Sequence, residues 1–133
     1  MNREKNKSKQ IKDKKFTQKE REVIENKATE APFTGKYYNH FKAGIYLCTR
    51  CETPLFSSET KYDSGSGWPS FWAPIKEENI ETKPDTRLNL TRTEALCANC
   101  KAHLGHVFDD GPKPTGKRYC INSVALKFKA EKE

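Results

Sequence analysis

The spacing of hydrophobic residues changes character near residue 30. Residues 1–15 are Lys, Asn, Ser and Gln with almost nothing to bury, which predicts a disordered stretch. Thr17-Gln-Lys-Glu20 then matches a capping box, with Thr17 as N-cap and Glu20 reaching back to it. This predicts a short helix over about residues 18–27, whose small apolar face is Val23 and Ile24. Ala31-Pro-Phe-Thr-Gly35 ends it. We read residues 1–29 as a basic extension, largely disordered or partly helical, and residues 30–133 as the compact domain.

Past that break the periodicity is that of strands and turns. Ile45-Tyr-Leu-Cys48 is short and β-rich, and Leu88-Asn-Leu-Thr-Arg-Thr93 partly alternates. Gly105-His-Val-Phe-Asp109 reads as a strand with His106 and Phe108 on one face. Tyr119 to Phe128 has the clearest alternation and predicts one long strand. Its even positions, Cys120, Asn122, Val124, Leu126 and Phe128, would form the inward face, with Cys120 and Asn122 side by side toward the interior or a cleft. Gly and Pro punctuate the rest as turns. The predicted class is mainly β: two packed antiparallel sheets with a minor N-terminal helix.

Composition narrows the function classes. A chain of 133 residues has room for one core. No apolar run approaches the roughly 20 residues of a membrane span, and no apolar block follows the basic start as in a secretory signal. The chain therefore reads as soluble and cytoplasmic, with no membrane partner. Of the net charge of +7, +4 falls in the first 30 residues. Such a tail either attracts an anionic partner or simply solubilises the chain. Five cysteines without an export signal point to metal binding and a reactive thiol instead of disulfides.

The cysteines divide into Cys48-Thr-Arg-Cys51, Cys97-Ala-Asn-Cys100 and the isolated Cys120. A two-residue gap lets both sulfurs of a pair reach one ion from a tight turn, and two such turns predict one structural Cys₄ zinc per chain. Forty-five residues separate Cys51 from Cys97, so the metal would staple distant segments across much of the fold. The competing reading is a redox pair, which two pairs in so short a chain disfavour. Four thiolates fill the coordination sphere, so no chemistry is expected at this ion.

Cys120 is left as the candidate nucleophile. Alone it would count as an inert core thiol, but Arg118, Asn122 and the group His103-Leu-Gly-His106 change that reading. The histidines fit a role beside the thiol, metal ligation or a structural role equally well. A second unusual stretch, Asp63 to Trp72, is a Gly- and Pro-rich loop crowded with Trp68, Phe71 and Trp72. These rings are either core or an aromatic wall for a small sulfur-bearing group.

Several motifs in order make the chain resemble the B-type methionine sulfoxide reductases. They are Pro-Phe-Thr-Gly at 32–35, Gly-Ile-Tyr-Leu-Cys at 44–48, Gly-Trp-Pro-Ser-Phe at 67–71, His-Leu-Gly-His-Val-Phe at 103–108, Asp-Gly-Pro at 110–112 and Arg-Tyr-Cys-Ile-Asn at 118–122. The resemblance implies that Cys120 attacks the sulfur of methionine-R-sulfoxide, free or in oxidised proteins and peptides, and becomes a sulfenic acid. It implies that His106, with His103 and Asn122, manages the departing oxygen. Arg118 would favour the thiolate, and Trp68 with Phe71 would bind the substrate and its methyl group. The implied role is repair of oxidative damage, with recycling by thioredoxin or another thiol reductant; the chain is expected to be a monomer. Many members carry a resolving cysteine in the loop before Gly-Trp-Pro-Ser-Phe, where this chain has Ser66. The rival readings are a zinc-ribbon nucleic-acid-binding protein and a catalytically dead relative acting as a binding module.

Overall fold

A computed structural model describes residues 16–86 and 91–131. The helix α1 spans Gln18–Ile24, and its capping box forms as expected: Glu20 N–H donates to Thr17 Oγ1 at 3.0 Å, and Thr17 N–H to Glu20 Oε1 at 2.9 Å. It stops three residues before the expected end. Val23 and Ile24 are buried in the common core, so the helix is docked on the body.

Nine strands follow among the described residues. They are β1 (Gly44–Cys48), β2 (Pro54–Ser57), β3 (Lys61–Tyr62), β4 (Ser70–Phe71), β5 (Ile80–Asp85), β6 (Arg92–Cys97), β7 (His103–Phe108), β8 (Arg118–Ile121) and β9 (Leu126–Ala130). They form two antiparallel sheets, one ordered β9-β1-β2 and one ordered β3-β4-β8-β7-β6-β5. Of the alternating segment expected over 88–93, Leu88 and Leu90 lie outside the described residues, and β6 begins at Arg92.

The sheets meet through aromatic rings. Phe56 of β2 stacks on Phe71 of β4 at 4.4 Å between centroids, and Tyr46 of β1 meets the same ring edge-on at 5.3 Å. All three are fully buried. Such pairs add to the burial that drives the sheets together.

The long strand expected over 119–128 is corrected. The chain runs β8, then a 3₁₀ turn at Ser123–Ala125, then β9 in the other sheet. Asn122 and the buried carboxylate of Glu30 hold the break. Glu30 accepts from the N–H groups of Ser123 at 2.9 Å and Val124 at 3.3 Å, and Asn122 Oδ1 accepts from Glu30 N–H at 2.9 Å. Within β8 the core face is odd-numbered: Tyr119 and Ile121 are buried. Cys120 therefore faces away from the core. No helix among the described residues is long and apolar enough to cross a membrane.

Candidate active site

Because Tyr119 and Ile121 take the core side of β8, Cys120 opens onto a cavity of about 200 Å³. Its walls include His106, Asn122, Arg118, Trp68 and Ser66. Five residues singled out in the sequence thus converge on one hollow from β7, β8 and the loop before β4. Gly105 makes the convergence tight. A Cβ there would run into the carbonyl oxygen of Cys120, so only glycine lets β7 and β8 close at this point. Their register then sets His106 directly opposite Cys120.

His103 and His106 are an odd and an even residue, so an unbroken strand would send them to opposite faces. The β6–β7 ladder instead pairs Ala95 with Gly105 and Leu96 with His103, leaving Leu104 as an extra residue. This bulge resets the alternation and brings the two imidazoles together, 5.5 Å apart edge to face. His106 lines the cavity, and His103 lies buried behind it.

Each histidine is held by a carboxylate that the sequence reading passed over. His106 Nε2 lies 2.8 Å from Asp85 Oδ2, which also faces Arg92 at 3.6 Å. His103 Nδ1 lies 2.8 Å from Glu94 Oε2, whose second oxygen meets Lys27 at 3.3 Å. Burial opposes the charge on Glu94, but the hydrogen bonds and charges of His103 and Lys27 outweigh it and hold the carboxyl below its ordinary range. Asp85 and Glu94 belong to strands β5 and β6, 21 and 9 residues from the histidines they hold, and no local motif marks them.

The electrostatics of Cys120 are a balance of burial against charge. Burial dominates and raises its thiol above the ordinary 9.0. The Arg118 charge and hydrogen bonds from Ser66 and Arg118 pull it back without overturning that direction. Arg118 itself is forked onto Asp110, at 2.8 and 3.1 Å, and lies over the Phe108 ring at 4.4 Å.

Trp68 is half-buried and fixed by its indole N–H, which donates to Glu30 O at 2.9 Å. Ser66 joins a serine network through Ser64, whose hydroxyl lies 2.8 Å from Ser66 Oγ and 2.7 Å from Ser70 Oγ, and it lines the cavity beside Cys120. Asn122 donates Nδ2–H to Leu104 O at 3.0 Å, so it braces the bulge as well as lining the cavity. Phe71 is corrected from substrate wall to core. It is fully buried against Phe56 on the opposite side of the sheet from the cavity residues, because its neighbour Ser70 takes the Cys120 side.

Away from this cavity, Cys48, Cys51, Cys97 and Cys100 converge with all four sulfurs within 4.8 Å of one another and buried. The closest pairs, Cys48–Cys100 and Cys51–Cys97, are 3.6 Å apart and join the β1–β2 turn to the β6–β7 turn. The turns match. In each the residue after the second cysteine, Glu52 or Lys101, has positive φ and donates its N–H to the first cysteine's carbonyl at 2.8 Å. A tetrahedral ion bound at about 2.3 Å to each sulfur needs sulfurs about 3.8 Å apart, close to the spacing found here. The donor set and spacing fit a structural metal.

Comparison with known proteins bears on both sites. The SelR domain model matches residues 16–130. The peptide methionine sulfoxide reductase MsrB of Hahella chejuensis is 57% identical over 113 residues, covering 85% of this chain and 81% of the relative. The protein of that name from Leptospira interrogans is 50% identical over 131 residues, 98% of this chain and the whole of the relative. That from Methanosarcina barkeri is 50% identical over 118 residues, 89% of this chain and 83% of its own.

Proposed function

The chain belongs to the SelR family of peptide methionine sulfoxide reductases, the MsrB proteins, and from this premise we propose that it reduces methionine-R-sulfoxide through a sulfenic acid on Cys120. The observation that carries the reading is the register of β7 on β8, which opposes Cys120 to a buried, carboxylate-held His106 at the wall of a cavity.

The chemistry follows from those groups. The Cys120 sulfur attacks the sulfoxide sulfur while its oxygen is protonated, forming an S–S bond; hydroxide leaves the methionine sulfur and bonds to the Cys120 sulfur as that S–S bond breaks. Methionine leaves, and Cys120 holds the oxygen as a sulfenic acid. Two external thiols then return Cys120 to its thiol, giving one disulfide and one water. His106, tied to Asp85, is suited to deliver and hold the proton at the oxygen. His103 and Asn122 support it from behind: one ring packs on His106, and the other side chain braces Leu104. The Arg118 charge favours the thiolate as attack develops, against the burial that raises the thiol.

Trp68 supports the R preference as the wall for the methyl group. Zinc is the metal that suits four thiolates in matched turns; it would close the fold and leave no open position for substrate. Ser66 beside Cys120 means that recycling falls to an external reductant, either thioredoxin or a small thiol of a reducing cytoplasm. The cavity is complete within one chain, which supports a monomer repairing oxidised proteins and peptides.

The test is reduction of a methionine-R-sulfoxide peptide with dithiothreitol by wild type and Cys120→Ser, followed by mass spectrometry after one turnover without reductant. Wild type should form methionine and gain one oxygen at Cys120. A serine hydroxyl is a far weaker nucleophile at neutral pH, so Cys120→Ser should be inert. Turnover by that variant would move the chemistry to another site.

A further inference from the structure

Phe33 carries an observation that the reaction does not use. It is 61% exposed, more so than the other exposed large hydrophobic, Phe41. Phe41 has a partner in the Lys61 ammonium, 3.9 Å from its ring centroid. Phe33 also has φ +66, the left-handed region where a bulky side chain is a conformational outlier. It follows Pro32 at a chain reversal, the slot that Gly or Asn ordinarily fills. A ring placed at backbone cost and left mostly exposed gains little for folding or solubility.

The position of that ring gives it a use. Phe33 N–H donates to Gly67 O at 2.7 Å, and a Cβ on Gly67 would meet Pro32 at 2.6 Å and the Phe33 ring at 3.0 Å. The ring thus lies against the one residue between Ser66 and Trp68, both of which line the Cys120 cavity. Its other edge is steadied by Tyr38, with centroids 5.1 Å apart. Phe33 is a rigid apolar surface outside the cavity wall, one residue from Trp68. An extended substrate chain rises about 3.3 Å per residue, so a side chain one or two residues from the buried one comes over this rim.

We infer that Phe33 is a specificity-determining residue, whose ring receives an apolar side chain flanking methionine sulfoxide in a peptide. The inference rests on the reading of the Cys120 cavity as the methionine sulfoxide site. The occupant is an aliphatic or aromatic neighbour, because the contact offered is an exposed ring with no charged group on it among the described residues.

The experiment compares kcat/KM on three substrates: a methionine-R-sulfoxide peptide flanked by leucines, the same peptide flanked by glycines, and the blocked single amino acid. Phe33→Asn removes the ring and keeps a residue suited to positive φ, so the turn is retained. Phe33→Tyr keeps the ring. Wild type and Phe33→Tyr should prefer the leucine peptide. Phe33→Asn should lose about tenfold on that peptide and much less on the other two. An unchanged preference in Phe33→Asn would overturn the inference, as would an equal loss on all three substrates, which would mark a role in loop structure. Failure of wild type on every substrate would overturn the reductase reading itself and the role of Phe33 with it.

Discussion

His106 and Cys120 stand directly opposite each other across the β7–β8 ladder. Two neighbours set their chemistry. Asp85 fixes His106 from one side, and burial raises the Cys120 thiol from the other. The imidazole and the thiol proposed as proton donor and nucleophile are therefore placed by strand pairing.

Asp85 should matter through His106. Asp85→Asn keeps the size of the side chain and removes the charge that orients the ring. We expect kcat to fall about 10²-fold with far-UV circular dichroism unchanged and the pH profile displaced. A loss confined to KM, or no displacement of the profile, would reassign Asp85 to structure alone.

Alkylation of Cys120 by iodoacetamide should rise with pH, with its midpoint above 9.0, because burial raises the thiol. Arg118 opposes that rise, so Arg118→Met should move the midpoint higher still. A midpoint near neutrality in wild type would show that the resting enzyme holds a thiolate.

Cys97→Ser should release the metal and largely unfold the domain. The cluster ties β1–β2 to β6–β7, and structural zinc contributes roughly 10 kcal/mol or more in small domains. Metal analysis with thermal melting decides it: a metal-free variant that melts like wild type would refute the staple.

Trp68→Ala should slow reduction and blur the preference between R and S epimers without reversing it. One methyl contact is worth about 1–3 kcal/mol. The check is the rate on each resolved epimer. Full retention of rate and preference would leave the indole only its bond to Glu30 O.

Ser66→Cys should create an internal route for recycling. Ser66 lines the same cavity as Cys120, so a thiol there faces its sulfenic acid. Thiol counting after one equivalent of substrate should find one thiol lost in wild type and two in Ser66→Cys, with the metal retained in both. Two lost in wild type would mean that one of the four clustered cysteines is the resolving thiol.

The sequence alone determined what depends on short-range spacing. Thr17 and Glu20 cap a helix from three residues apart, and each Cys-x-x-Cys turn presents two sulfurs from its own hydrogen bonds. Cys120 emerged as the lone thiol by counting, and its motif neighbours named the family. Long-range pairing decided the rest. The alternation over 119–128 suggested one strand, yet Glu30, some ninety residues away, caps the turn that divides it. His103 and His106 share a face only because β6 pairs with β7 around an extra residue at Leu104. Glu94 reaches His103 from the adjacent strand β6, Asp85 reaches His106 from β5 beyond it, and Phe71 is core because Phe56 covers it. Periodicity reports which residues share a face of an isolated element. Where an element breaks or bulges, and what lies across from it, are set by partners distant in sequence, and only the tertiary structure brings those partners together.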